Sequence, residues 1–231
     1  MSTSRSFCAG VDTHRVYPSA PISRARSLIN PQLRIRFMEK AMVSDFVTLR
    51  LIGIRPLLMH AGRLCDPLDP IACELARITG KRLKTASDHR EIARIEWYGG
   101  LWLADGAPCI PAEAIEAAFI AGAKMQRRGK QAAAGIEVDG PAKLFYDGPQ
   151  DIDELWKQER FRLRVPVRVG TARTMRTRPR FDSWNVDFKA SFLPSLLSPS
   201  LIADIFAASG FARGIGDWRP KFGRFRVECL N

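Results

Sequence analysis

The chain has 231 residues, 46% hydrophobic and 26% charged, a composition that fits one large or two small globular domains and excludes a low-complexity or disordered protein. Its formal charge of +12 is clustered: residues 1–42 sum to +5, residues 160–180 hold eight arginines and no acid, and the rest sums to 12 − 13 = −1. Clustered positive charge points to a polyanionic partner rather than to general solubility.

No apolar run reaches the roughly 18 residues needed to cross a bilayer. The five cysteines, Cys8, Cys65, Cys73, Cys109 and Cys229, are odd in number and show no C-x-x-C pairing. They are expected to be reduced, mostly buried thiols of a cytoplasmic protein, not a disulfide framework or a zinc site. No cofactor motif is present: G-x-x-x-x-G-K-[ST], G-x-S-x-G and H-E-x-x-H are all missing from the sequence.

Residues 1–45 read as a basic arm without stable structure, with Met38 and Met42 each placed to start translation ahead of the first strand. A single domain is expected over 46–231. Residues 47–54 alternate as a strand, followed by a Pro56 turn and His60. Asp69 and Pro70 open a helix ended by Gly80. Asp88, with Glu91 three residues on, caps a second helix that stops at Gly99-Gly100. Short strands flank an Asp105-Gly106 turn, and Pro111 starts a helix running to about Met125. Lys124, Arg127, Arg128 and Lys130 then lie in an expected mobile loop over 124–135. Residues 144–146 form a strand. Acid pairs Asp66/Asp69 and Asp151/Asp153 read as helix caps.

Residues 161–169 place apolar side chains at every odd position and Arg162, Arg164 and Arg168 at three of the four even ones. As a strand this segment has one oily and one guanidinium face, and Pro166 calls for an edge strand or a bulge there. Gly170 turns it into a second arm bearing Arg173, Arg176 and Arg178. The expected product is an arginine-lined β-hairpin over 160–181. Residues 184–192 alternate strictly as a strand, Ser198 and Pro199 begin a helix ended by Gly210, and residues 225–229 alternate again. Between that helix and the last strand lie Gly214, Gly216, Trp218, Arg219, Lys221 and Arg224, with Arg213 just before them. Glycines that admit close backbone approach, set among cations, suit a phosphate chain. The loop runs from helix to strand, the reverse of a dinucleotide-binding fingerprint. Asp217 is expected to hold Arg219 or Arg213 in place.

Strand, helix, glycine loop, strand is half of a ferredoxin-like fold. Ending in that loop, it resembles the RAMP superfamily of CRISPR-associated RNA-binding proteins, and within it the guide-RNA backbone subunits of Cascade-type complexes. The chain also resembles small phage and prophage proteins that share the P-L-L-M-H segment, Pro56 to His60, and a G-D-W-R-P-x-F-G-R-F ending, Gly216 to Phe225. The resemblance implies an α+β, RRM-like palm (46–54 and 184–231), a helical insertion (66–125) and an arginine-rich hairpin thumb (160–181).

The function it implies is non-catalytic binding of single-stranded RNA or DNA, with self-association along the strand, other complex subunits as further partners, and a bacterial or phage-infected cell as the setting. Arg162, Arg164, Arg168, Arg173, Arg176 and Arg178 would grip the backbone or the next subunit. The glycine loop would cradle phosphates through its N–H and guanidinium groups, and Lys124–Lys130 would order on binding. Two alternatives stay open. One is a metal-independent endoribonuclease with His60 as general base; the other is an assembly protein whose arginines meet acidic neighbours.

Overall fold

Val47, Leu49 and Leu51 are buried, whereas Phe46, Thr48 and Arg50 between them face outward, so the alternation makes β1 (Asp45–Gly53) a half-buried strand. The computed structural model describes residues 44–230. The expected basic arm, with Cys8 and His14, lies outside them except for its last two residues, of which Asp45 belongs to β1.

After β1 come β2 (Leu57–Leu58), α1 (Pro70–Thr79), α2 (Ala86–Gly100), β3 (Leu103–Ala104), β4 (Ala107–Ile110), α3 (Ala112–Met125), α4 (Gly129–Gly135), β5 (Ile136–Val138) and β6 (Ala142–Tyr146). The chain continues through α5 (Ile152–Lys157), β7 (Arg162–Val169), β8 (Ala172–Phe181), β9 (Trp184–Phe192), α6 (Pro199–Ala212) and β10 (Phe225–Cys229). The protein is α+β, with six α-helices and antiparallel strand pairing throughout the described residues.

The larger sheet runs β10-β1-β9-β6-β4-β3, with β5 also paired to β9; a smaller one runs β2-β8-β7. The main core lies where one face of the larger sheet meets α3 and α6. Phe206 of α6 stacks on Phe119 of α3 (4.9 Å between ring centres) and on Phe188 of β9 (5.5 Å). Small residues let these layers close. A Cβ on Gly122 would stand 2.7 Å from the Ile205 carbonyl oxygen, and Ser209 Oγ donates to the Ala118 carbonyl. The opposite sheet face carries Arg50 and Asp187, joined by two hydrogen bonds of 2.6 and 2.7 Å, and Arg226 paired with Glu228 at 2.9 Å. Ile78, Ile92 and Ile95 make a second, smaller core between α1 and α2.

Several boundaries differ from expectation for identifiable reasons. The cap of α2 is Thr85, which forms a capping box with Asp88, because Thr85 already holds the extended backbone an N-cap needs. Residues 129–135 are helical, not loop: Ala132 is buried and Gln131 Nε2 donates to the Leu196 carbonyl, anchoring α4 beneath the β9–α6 connection. Of the described cysteines only Cys109 is buried; Cys65, Cys73 and Cys229 are exposed, so thiols on a short turn, a helix flank and a terminal strand did not obey the composition rule. No described helix is long and apolar enough to cross a membrane.

Gly210 does not end α6, which continues to Ala212. It is glycine because a Cβ there would lie 2.2 Å from the carbonyl oxygen of Phe225 on β10. In an exposed helix Gly→Ala stabilises by about 1 kcal/mol. Here Gly210→Ala should instead destabilise by about 1–3 kcal/mol through overpacking, read as a lowered urea midpoint.

Candidate nucleic-acid interface

The β7–β8 hairpin forms as expected, with Gly170 at a φ of 61° in its two-residue turn and β7 at the sheet edge where Pro166 is tolerated. Its register pairs Arg164 with Thr177, Pro166 with Met175 and Arg168 with Arg173. Directly opposed residues share a face, so Arg162, Arg164, Arg168 and Arg173 project from one side. Arg164, Arg168 and Arg173 are exposed, and among the described residues none of the three has an ion-pair partner. Arg168 Nε donates to the Gly170 carbonyl at 3.1 Å, which steadies the tip. Arg162 stacks over Trp156, 4.6 Å from the ring centre.

Two arginines assigned to the same role are tied to the body of the protein by carboxylates instead, Arg178 buried and Arg176 half-buried. Glu96 of α2, only 2% exposed, accepts from Arg176 Nη1 at 2.6 Å and from the Thr177 backbone N–H at 2.8 Å. Arg178, 8% exposed, donates through Nε to Asp217 Oδ2 at 2.8 Å and through Nη1 to the Thr177 carbonyl. Asp217 therefore holds Arg178, not Arg219 or Arg213. Trp97 Nε1 donates to the Phe161 carbonyl at 2.8 Å, fixing the start of β7 to the same helix. The hairpin root is thus clamped to α2 and to the glycine loop, while its distal half stands free of countercharge.

Between that distal half and the α1–α2 pair opens a cleft of about 640 Å³. Lys84, Arg164 and Arg173 give it basic groups, the Arg176–Glu96 pair and His89 line it as well, and Leu75 and Met175 form an apolar wall. A smaller hollow of about 310 Å³, lined by Trp156, Arg162 and Arg164, adjoins the same arginine face. Lys84 and His89 were not singled out by sequence reasoning; they lie in and just after the α1–α2 link, whose bearing on the hairpin only the tertiary fold reveals.

The glycine loop is built differently from a phosphate cradle. The N–H groups of Gly214, Ile215, Asp217, Phe222 and Gly223 donate to the carbonyls of Ser209, Gly223, Leu58, Trp218 and Pro56. The Trp218 N–H donates to Asp217 Oδ1. Gly214, Gly216 and Gly223 all have positive φ, and a Cβ on Gly216 would lie 2.4 Å from the Leu58 carbonyl oxygen. The glycines admit the protein's own backbone and most of the loop's N–H groups are spent within the fold, so a ligand there would meet chiefly side chains. Arg219 and Lys221 are exposed. Arg224 donates to the Pro220 carbonyl at 2.9 Å and lies over Phe211, 5.3 Å from its ring centre. Trp218, with φ of 52°, is half-buried against Phe222.

Phe211, 71% exposed, was missed; it stands off the Leu201–Ile202–Ile205–Phe206 stripe, and that break in periodicity was the available signal. Lys124 lies in the last turn of α3, Arg127 has φ of 60°, Arg128 bonds Gln131, and Lys130 is on α4. That group is exposed but tied to the β9–α6 connection, so nothing joins it to the hairpin cleft.

His60 lines a pocket of about 250 Å³ with Trp102, Gly216, Asp217 and Arg219. Its Nδ1 is buried without a hydrogen-bond partner. Burial first, and then the Arg178 guanidinium, hold its pKa below the ordinary imidazole value. Among the described residues, no three His, Cys, Asp or Glu side chains converge as a metal site would require. No protein-family model matches the sequence, and no curated protein matches it significantly.

Because folded His60 accepts a proton at lower pH than the unfolded chain does, its contribution to stability is complete above the unfolded value near 6.5 and is lost as pH falls below it. Urea midpoints measured between about pH 7 and pH 5 should therefore drop less in His60→Gln than in the parent. An identical drop in both would place the acid sensitivity elsewhere.

Proposed function

We propose that this chain is a non-catalytic, single-stranded nucleic-acid-binding protein, with RNA its foremost ligand, built on a ferredoxin-like palm. Supporting the palm is the strand order β10-β1-β9-β6, antiparallel at each step, with α3 and α6 packed together on one face. That is the arrangement of a split βαββαβ unit, into which α1, α2 and the β3–β4 strands are inserted. It is compatible with membership of the RAMP superfamily, and with copies standing side by side on one strand in the cytoplasm.

The observation that carries the binding reading is the set of uncompensated arginines, Arg164, Arg168 and Arg173, which strand register aligns on one face of the hairpin, Arg164 and Arg173 among them lining the cleft. Like charges directly opposed across a β-ladder are destabilising, as for Arg168 and Arg173, and a polyanion relieves that repulsion. The open sheet face is a poorer path for a phosphate backbone, because Arg50 and Arg226 are already neutralised there. The strand accordingly runs along the hairpin and cleft, with phosphates on the guanidinium groups and bases towards Met175 and Leu75.

Fluorescence anisotropy with a labelled single-stranded oligonucleotide tests this. Engaging three or four cations gives a slope of roughly −2 to −3 in log affinity against log salt. The double variant Arg164→Glu/Arg168→Glu should lose at least about tenfold in affinity at low salt, whereas Lys143→Glu, on the open sheet face, should bind as the parent does. Parent-like binding by the double variant would remove the hairpin from the site. Absence of salt-dependent binding to RNA and DNA alike would favour an acidic protein neighbour and the assembly reading, and cleavage of the oligonucleotide would favour the endoribonuclease.

A further inference from the structure

The pocket beside the glycine loop is separate in its lining from the hairpin cleft, and the arginine face leaves it unexplained. His60 lines it, and Nδ1 of that ring is buried and finds no partner in the protein. Buried polar groups are nearly always hydrogen-bonded, so an unpaired nitrogen on a ring that lines a pocket marks a bond that a turn of that ring would let a ligand complete. The rest of the lining narrows the ligand. Ala114, Ala117, Ile215 and the half-buried Trp102 indole supply an apolar, partly aromatic surface suited to a flat ring.

The charge pattern separates the inside of the pocket from its surroundings. Asp217 presents a carboxylate whose oxygens are already engaged by Arg178 and by the Trp218 N–H, and His60 is held towards its neutral form. Neither favours an anion deep within the pocket. Arg219 is the remaining cation; it is exposed and, among the described residues, has no ion-pair partner. An uncharged aromatic ring inside and a phosphate beside Arg219 is the chemistry of one nucleotide.

We infer that the pocket formed by His60, Trp102, Ala117 and Arg219 holds a single nucleobase, unstacked from the bound strand, with its phosphate on Arg219. This rests on the nucleic-acid reading and adds a base-recognising subsite to a surface where bases otherwise meet only apolar side chains. A neutral imidazole carries one donor and one acceptor nitrogen, so His60 can complement a base edge without demanding a charge. At about 250 Å³ the pocket admits one base and not a base pair, which selects single strands over duplexes at this position.

Two arms of one experiment separate a base within a strand from a free nucleotide. The sequence has three histidines, His14, His60 and His89, so the His60 ring resonances can be assigned by comparison with His60→Gln. Titration with the four ribonucleoside 5′-monophosphates should shift those resonances. Ala117→Phe, which fills the pocket from an exposed helical position, should abolish the shift, and Arg219→Ala should weaken it. In the second arm, the parent should bind a base-bearing oligonucleotide at least about fivefold more tightly than an abasic one of equal length, the low end of what one stacked base contributes. Ala117→Phe, folded by circular dichroism, should bind the two equally.

A His60 shift without preference for the base-bearing strand would overturn the strand assignment in favour of a free-nucleotide site. Neither a shift nor a preference would overturn the pocket altogether, even if salt-dependent strand binding stood. Failure of the parent to bind any strand would sink the broader reading, while the mononucleotide arm would still decide the pocket.

Discussion

Two carboxylates, Glu96 and Asp217, determine what the rest of the molecule can do. A two-stranded ribbon carrying seven arginines between residues 162 and 180 has no reason of its own to stay folded against a body. Glu96, at the buried side of α2, takes both a guanidinium and a ladder N–H from β8, and Asp217, in the glycine loop, takes the next guanidinium along. Neutralising Arg176 and Arg178 at the root lets the hairpin be rigid there, and so allows Arg168 and Arg173 to be held apart from countercharge further out, with Arg164 level with the clamp on the other face. Removing one member of a buried pair leaves the other desolvated and unpaired, which makes such clamps costly to break even where they add little net stability.

The glycine loop completes this clamp. Its internal hydrogen bonds tie the end of α6 to β2 and to the start of β10, and β2 in turn pairs with β8 of the hairpin sheet. The loop thereby connects the main sheet to the arm and aims Asp217 at Arg178. Compression at Gly210 against Phe225, and at Gly216 against Leu58, is the steric condition for bringing these layers together. The binding surface and the pocket beside His60 are consequences of the same closure, since both are bounded by elements the loop holds in place.

Much of the architecture was legible in the sequence because it rests on local periodicity. The strict alternation of residues 184–192, the Asp69-Pro70 and Ser198-Pro199 helix starts and the hairpin turn at Gly170 all formed as read. Legibility failed where the deciding contact was remote. Arg176 and Arg178 resemble Arg164 and Arg168 in composition, but register sets them opposite Val165 and Leu163 on the other face, and the carboxylates that engage them there lie 80 residues earlier and 39 residues later. Gly210 reads as a helix stop because the Phe225 carbonyl that demands it lies across a loop. The glycine loop suggested a ligand because sequence shows which residues permit close approach, not whether the approaching backbone belongs to another molecule.

The central claim is that nucleic acid lies along the distal hairpin and its cleft. Photocrosslinking to a 4-thiouridine-bearing oligonucleotide, with adducts located by peptide mass spectrometry, tests it most directly. The account predicts adducts on the distal hairpin around Arg168–Met175 and on the facing segment that contains Lys84 and His89, both suppressed by high salt. Adducts confined to the open sheet face around Phe46 and Phe145, or a complete lack of adducts with a strand the protein retains, would contradict it.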